Sequence, residues 1–108
     1  MDHIRLESIK PKEMIPGYYG KFIHSENATL AYWDIKEGYS IPDHAHHHEQ
    51  IVNVLKGRFE LVVEGKSMLL EAGSVVVVPS NIKHSGKSLA DCVIIDVFCP
   101  NRKEYNND

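Results

Sequence analysis

The segment His44-Ala45-His46-His47-His48-Glu49-Gln50 holds four of the chain's seven histidines and ends in two oxygen donors. Glycines flank this segment, with Gly38 six residues before its first histidine and Gly57 seven residues after its glutamine. After a gap of 15 residues, a second group contains, in order, Gly73, Pro79 and His84. Imidazole nitrogens and side-chain oxygens at close spacing are typical ligands of divalent transition metals. The two groups together predict a metal site.

Strand geometry selects among these donors. Residues i and i+2 of a strand point to the same face, so His44 and His46 are expected to converge, and Gln50 has the same parity. Glu49 is the alternative oxygen ligand, but its parity directs it to the other face. With His84 from the second group, the predicted ligands form a neutral set with open positions. Ligand type alone leaves Fe, Ni, Mn, Co and Zn as candidate metals.

The remainder of the chain reads as short strands separated by glycine turns. Thr29–Ile35 is rich in the aromatic and β-branched residues that favour strands. Further strands are expected at residues 21–24, 50–55, 58–64, 67–71, 74–78 and 92–98. No segment has a useful helical periodicity, and short strands at this spacing are typical of a sandwich or barrel. The sequence therefore predicts an all-β, jelly-roll-type barrel.

Finer expectations concern the ends and turns of this barrel. Residues 17–20 are predicted to form a turn, and the valine run at 75–78 suits a strand buried on both faces. The barrel core is expected at about residues 18–99, with an irregular N-terminal arm at 1–16 and a polar tail at 100–108. Within the arm, a short edge strand is expected at Ile4, Leu6 and Ile9.

Composition limits the classes of function. At 108 residues the chain has the size of one domain. Its net charge of −3, with both signs scattered, gives no electrostatic basis for binding nucleic acid or an anionic membrane. We expect no membrane segment or signal peptide, and hence a soluble, cytoplasmic protein. The two cysteines, Cys92 and Cys99, are expected to be free thiols.

The two histidine-containing motifs, in this order and at these spacings, resemble those of the cupin superfamily, and the resemblance covers about residues 30–98. It implies a single-domain, RmlC-like cupin with the metal held by both motifs. Cupins usually have glutamate where this chain has Gln50, and the exchange removes one negative charge from the metal site. His47 and His48 are expected near the rim of the site, with His48 able to support a ligand or face the substrate.

The last predicted strand contains a carboxylate among apolar residues. Asp96 shares a face with Cys92, Ile94 and Phe98. A buried carboxylate is unfavourable unless it is paired or functional, and desolvation would raise its pKa toward the range of a general acid or base. From the residues alone, a solvent-facing or lysine-paired Asp96 is an equally good interpretation.

The segment Ile95-Asp96-Val97-Phe98-Cys99-Pro100-Asn101-Arg102-Lys103-Glu104-Tyr105 resembles the C-terminal signature of the pectin-degradation cupins of the KdgF family. That family also has glutamine in the position of Gln50. The resemblance implies a non-redox isomerase that converts 4,5-unsaturated uronates into linear 5-keto-4-deoxyuronates. It places the family's functional aspartate, phenylalanine and arginine at Asp96, Phe98 and Arg102.

Two other functions remain open at this stage. A metal-dependent dioxygenase would need a redox-active metal, and Gln50 in place of glutamate disfavours it. A non-catalytic sugar-sensing cupin would not need four ligands. The expected partners are a small anionic sugar substrate and a second copy of the chain. The homodimer is implied by the resemblance to small cupins, and it would pair edge strands that are otherwise exposed.

Overall fold

The computed structural model describes residues 3–107. Met1, Asp2 and Asp108, the outermost residues of the predicted arm and tail, lie outside this range. Within it the chain forms one short 3₁₀ helix, Leu6–Ser8, and ten strands. The lack of longer helices in this range agrees with the sequence, which has no helical periodicity. The strands are β1 (Lys12–Ile15), β2 (Tyr18–His24), β3 (Thr29–Ile35), β4 (Ser40–His44), β5 (Glu49–Lys56), β6 (Arg58–Val63), β7 (Lys66–Glu71), β8 (Val75–Val78), β9 (His84–Ser88) and β10 (Cys92–Cys99). No helix in residues 3–107 is long and apolar enough to span a membrane.

The strands build two antiparallel sheets that face each other. One sheet has the order β1-β2-β3-β10-β5-β8, and the other has the order β4-β9-β6-β7. Strands that are distant in sequence are neighbours in both sheets, so the chain crosses between the layers repeatedly. The all-β jelly roll expected from the sequence is confirmed.

Alternation along each strand builds the core between the sheets. In β10 every second residue is buried, and the residues between them are half-buried on the outer face. The same period in β2, β3, β5 and β6 supplies most of the remaining core. The buried apolar side chains are Tyr18, Phe22, Ala31, Trp33, Ile35, Val52, Val54, Phe59, Leu61, Leu70, Val78, Cys92, Ile94 and Phe98.

The predictions for the N-terminal region are wrong in detail. The segment with Ile4, Leu6 and Ile9 contains the 3₁₀ helix instead of an edge strand, and the edge strand is β1, which pairs with β2. Residues 18–20 belong to β2, because Pro16 and Gly17 complete the reversal in two residues, with Gly17 at a φ of 80°. A tighter turn than expected therefore lengthens the hairpin.

The valine run is an edge strand and is not buried on both faces. β8 pairs with β5 and has no second neighbour in its sheet. Val75 and Val77 are 60% and 55% exposed on the outer face, while Val78 is fully buried. Strands β4 and β9 were not predicted, because their polar, proline- and glycine-containing sequences lack an apolar alternation. Their pairing with each other and with β6 depends on contacts that are distant in sequence.

Candidate metal centre and active site

Three histidines come together at one end of the barrel. His44, His46 and His84 each offer a ring nitrogen, and these three atoms lie within 4.8 Å of one another. His44 is the last residue of β4, His84 is the first residue of β9, and the two are directly paired in register. His46 follows in the loop between β4 and β5. The predicted convergence is observed, but a strand pairing and a loop produce it, not the i, i+2 alternation of one strand.

Backbone carbonyls orient all three imidazoles in the same way. The Nδ1 atoms of His44, His46 and His84 lie 2.9, 3.0 and 2.9 Å from the carbonyl oxygens of residues 42, 48 and 82, respectively. A carbonyl oxygen only accepts, so each Nδ1 carries the hydrogen and each Nε2 keeps a lone pair. The buried Nε2 of His84 has no hydrogen-bond partner among the described residues.

Gln50 adds an oxygen to this cluster. It is buried on β5, and its Oε1 lies 3.1 Å from Nε2 of His46. Glu49 is exposed, so the expected orientation of these two neighbours is the one observed. Since Nε2 of His46 holds a lone pair, two acceptors face each other at this distance. Either the Gln50 amide turns its nitrogen toward the ring, or a cation lies within reach of both atoms.

Burial keeps the imidazoles of His46 and His84 neutral. Desolvation, together with the charge of Arg102 and the neighbouring His84, lowers the pKa of His46 to about 4. Desolvation is also the main cause of the lowered pKa of His84. A neutral imidazole is the form that binds a metal, so these two ligands are ready to coordinate at neutral pH.

Asp96 lies in the interior as a buried carboxylate. The indole N–H of Trp33 donates to its Oδ2 over 3.0 Å. Desolvation raises the pKa of Asp96 to about 7, and the nearby Gln50, Trp33 and Arg102 only partly oppose that rise. Its Oδ1 has no well-formed hydrogen bond to any described residue. The structure therefore places this carboxyl group inside the barrel with one oxygen free, and the solvent-facing interpretation is wrong.

Arg102 and Phe98 stand beside this carboxyl group. Phe98 is buried and directly paired with Gln50. The Arg102 guanidinium carbon lies 4.9 Å from the centre of the Phe98 ring and 4.2 Å from that of Tyr105. Its Nε donates to Glu104 over 2.8 Å, which leaves the two terminal nitrogens for an anion. The tail thus folds back over the barrel, and Arg102 is not the solvated residue that its polar surroundings suggest.

One cavity connects these groups. It has a volume of about 140 Å³ and includes His44, His84 and Gln50, Asp96, Phe98 and Arg102 in its wall. Most of the remaining wall is apolar or aromatic and includes Met14, Ile15, Tyr18, Trp33, Ile35, Ile41, Val52, Phe59, Leu61, Ile94 and Tyr105. The arrangement can hold a cation and a small anion side by side, next to a group that exchanges protons.

Sequence reasoning left two residues of this site without a defined role and placed others imprecisely. Trp33 donates a hydrogen bond to Asp96, and the ring of Tyr105 packs against the Arg102 guanidinium. Tyr105 ends the tail segment that carries the family resemblance, but nothing local in that segment predicts its contact with Arg102. His48 is buried against Phe98 at a ring distance of 6.1 Å, and its carbonyl orients His46. Only His47 occupies the exposed rim predicted for both.

Comparison with known proteins places the chain in a family. The cupin domain model matches residues 31–98, which is more than half of the chain. The chain belongs to the cupin domain family. Over 59 residues this cupin is 38% identical to the pectin degradation protein KdgF of Dickeya dadantii (strain 3937). That match spans only about half of each chain, 54% of this one and 54% of the relative.

Solved structures extend the likeness to nearly the full length. KdgF from Halomonas sp. matches with a TM-score of 0.88 and 27% identity, over 93% of this cupin and 95% of that chain. An RmlC-like cupin from Shewanella frigidimarina NCIMB 400 matches with a TM-score of 0.91 and 23% identity, over 98% and 97% of the two chains. The second likeness shows the fold alone. Together the matches show a KdgF-like cupin with a three-histidine cluster that could hold a metal ion.

The donor set of this cupin fits a divalent transition metal. Three Nε2 lone pairs, fixed by backbone acceptors, and the facing oxygen of Gln50 all lie in one region. The orphaned Nε2 of His84 would gain a partner from a cation. The residues that would hold the metal are His44, His46, His84 and Gln50.

Asp96 should make the metal-free cupin lose stability as pH rises. Its folded pKa of about 7 lies above the unfolded value near 3.8, so the folded state binds more protons between these values. The stability contribution is fully present below about pH 4 and is lost as pH rises to about 7. Between pH 5 and pH 8 the wild type should lose roughly 2 to 3 kcal/mol relative to Asp96→Asn, which cannot ionise.

Urea unfolding of both proteins at the two pH values measures this difference. The variant keeps the histidines, so their titration largely cancels in the comparison. Equal pH dependence of the two free energies of unfolding would contradict a proton held by Asp96.

Proposed function

We propose that this cupin opens the ring of 4,5-unsaturated uronates and yields the linear 5-keto-4-deoxyuronate. The observation that carries the proposal is the shared cavity in which a buried carboxyl group, Asp96, lies beside the histidine cluster and Arg102. The likeness to two KdgF proteins, one of them named for pectin degradation, supports this assignment. The uronate would come from the breakdown of pectin or alginate.

The reaction moves one proton and no net electrons. The anomeric hydroxyl loses its proton while the C1 aldehyde forms, the bond between C1 and the ring oxygen breaks, and its electron pair goes to that oxygen. Ketonisation at C5 then uses the electron pair of the C4=C5 bond to take up a proton at C4. The product is an isomer of the substrate, so no redox cofactor is needed.

The residues of the cavity suit these steps. Asp96, with Oδ1 free, would accept the proton of the anomeric hydroxyl, deliver one to C4, or do both. The planar guanidinium of Arg102 would bind the substrate carboxylate through its two terminal nitrogens. Phe98 would form the wall next to the sugar, and the face of its ring would pack against the Arg102 guanidinium.

A divalent transition metal, when bound, would supply Lewis acidity toward the substrate oxygens that gain negative charge. Gln50 contributes no charge to the ligand set, which preserves that acidity. The protein side chains would carry out the other steps: they would bind the substrate carboxylate and transfer the proton.

Product analysis without oxygen tests the proposal. Metal-loaded protein would be incubated anaerobically with 4,5-unsaturated galacturonate, and ¹H NMR would follow the C4 vinyl signal and the new C4 methylene signals. The proposal predicts faster conversion than the spontaneous rate. The competing dioxygenase function would instead require oxygen consumption, and a sugar-sensing cupin would bind the uronate without converting it.

We further propose that the partners of this cupin are a small anionic sugar and a second copy of the chain, and that it acts in the cytoplasm. No nucleic acid or membrane partner is proposed, since the net charge of −3 carries no concentrated basic region. The dimer is proposed on the outer face of the six-stranded sheet. An antiparallel sheet that faces water on one side normally shows mainly polar residues there. This face carries Lys21, Asp34 and Asn53, but apolar residues predominate on it.

An apolar row crosses that outer face. Strand registers align one outward residue from each of five neighbouring strands, in the order Ile23, Leu30, Val97, Ile51 and Val77. Six strands at their usual spacing and length give a flat footprint of roughly 600 Å². A standard-size interface buries about 800 Å² of accessible surface per partner, so the whole outer face would take part in the dimer. A second copy fits because two-fold symmetry places the same row on both partners.

Val77→Lys should dissociate this dimer. The side chain is already 55% exposed in the single chain, so the variant should still fold, while a buried lysine would be unfavourable at the interface. Leu69→Lys is the matched control, because Leu69 is 50% exposed on β7 of the other sheet. Light scattering after size exclusion should give a dimer for the wild type and Leu69→Lys, and a monomer for Val77→Lys. A monomeric wild type, or a dimeric Val77→Lys, would contradict this interface.

A further inference from the structure

A tyrosine hydroxyl lies buried in the cavity without a partner. Tyr18 is 5% exposed and lines the cavity. Its hydroxyl oxygen has no hydrogen-bond partner among residues 3–107. A buried, unpaired hydroxyl lowers stability, and most such groups in proteins are satisfied. The roles assigned so far to the histidines, Asp96 and Arg102 do not account for it.

Packing holds the hydroxyl in place. Tyr18 packs edge-to-face against Trp33, with ring centres 6.0 Å apart. Trp33 is itself fixed by its hydrogen bond to Asp96. The negative charge of Asp96 adds to the burial that raises the pKa of Tyr18, so the two groups are within electrostatic reach of each other. At neutral pH the hydroxyl remains protonated and can both donate and accept.

Strand registers place Tyr18 and Arg102 at opposite ends of the cavity. Tyr18 pairs with Ile35, which pairs with Cys92 at the start of β10. Arg102 follows the other end of β10, beyond Phe98. Asp96 lies between the two ends. A ligand whose carboxylate binds Arg102 therefore directs its far side toward Tyr18.

We propose that the Tyr18 hydroxyl hydrogen-bonds a ring hydroxyl of the bound sugar acid and so determines specificity for hydroxylated over deoxygenated acids. This inference rests on the proposed function for the class of ligand. Tyr18 is paired with Ile35, and the cavity that both line is largely apolar, with Phe59 and Ile94 also in its wall. A single polar group in such a wall discriminates strongly, because a ligand without the matching hydroxyl leaves it unpaired. Tyr18 is a binding residue and takes no part in the proton transfer.

Tyr18→Phe removes only the hydroxyl, and Tyr19→Phe is the matched control. Tyr19 is the next residue of β2, and its half-buried side chain lies on the opposite face. Trp33 is the single tryptophan of the chain and lines the cavity, so its fluorescence can report binding. The probe is D-galacturonate, a saturated uronate without the C4=C5 bond, added to metal-loaded protein.

Tyr18→Phe should bind galacturonate about 3- to 10-fold more weakly than the wild type, the range expected for one neutral hydrogen bond. Metal content should be unchanged, and the unfolding midpoint should not fall, since the variant removes an unpaired group. Tyr19→Phe should bind like the wild type. With 4,5-unsaturated galacturonate, Tyr18→Phe should raise KM by a similar factor and change kcat little.

The outcomes separate this inference from the proposed function. Turnover by the wild type with equal KM in Tyr18→Phe would overturn the role of Tyr18 alone. Galacturonate binding that weakens in Tyr18→Phe, without any turnover by the wild type, would overturn the ring-opening function and support the role of Tyr18. Neither binding nor turnover by metal-loaded wild type would overturn both.

Discussion

Asp96→Ala should reduce ring-opening turnover by about a thousandfold or more and leave the bound metal unchanged. General acid–base catalysis by one positioned group contributes about 10²- to 10⁴-fold, and here one carboxyl group could serve both proton transfers. It is the carboxylate in the wall of the cavity. The metal should stay, because the Nδ1–H groups of the three histidines donate to backbone carbonyls and not to Asp96.

The experiment measures kcat and metal content on the same preparations. Asp34→Ala is the control, since Asp34 is an exposed aspartate on the neighbouring strand β3. Asp96→Asn keeps the shape and the hydrogen bond from Trp33 but cannot carry the proton, so it should be as inactive as the alanine variant. Loss of metal together with turnover would show instead that Asp96 is a metal ligand or a structural residue.

His84→Ala should weaken metal binding by at least about a hundredfold and abolish turnover as a consequence. Even groups that only support a ligand typically change metal affinity by about 10- to 100-fold, and His84 would be a ligand itself. Its orphaned Nε2 is within 4.8 Å of the offered nitrogens of His44 and His46. Competition with a chromogenic chelator would measure the affinity.

His47→Ala is the matched control for His84→Ala. It removes an imidazole from the same histidine-rich segment, but the His47 side chain is exposed and lies outside the cavity. Equal weakening of metal binding by both variants would contradict the assignment of the three-histidine site. Strong binding by His84→Ala would do the same.

The barrel could be predicted because the residue pattern within each central strand is enough to identify it as a strand. Thr29–Ile35 was predicted with the bounds that the structure shows, since alternation and β-branched residues follow the pleat. Asp96 stood out for the same reason, as a polar residue in an otherwise apolar strand. The ligand cluster was predictable because a few residue types at fixed spacing are required to bind a metal.

Other parts of the site depend on contacts that no local pattern encodes. Strands β4 and β9 form because β6 pairs with β9 and thereby positions His84 opposite His44. The tail returns over the barrel when Tyr105 packs on Phe22 and Phe98, with ring distances of 5.1 and 5.6 Å. The position of Arg102 therefore depends on this long-range packing and cannot be predicted from the local sequence.

The most direct test of ring opening is the ultraviolet absorbance of the C4=C5 bond. A lyase and a hydrolase would generate 4,5-unsaturated galacturonate, and the loss of absorbance would be followed with and without this cupin. We predict a rate well above the spontaneous one, which a chelator abolishes and added divalent metal restores. An unchanged rate with metal-loaded protein would contradict the proposed function.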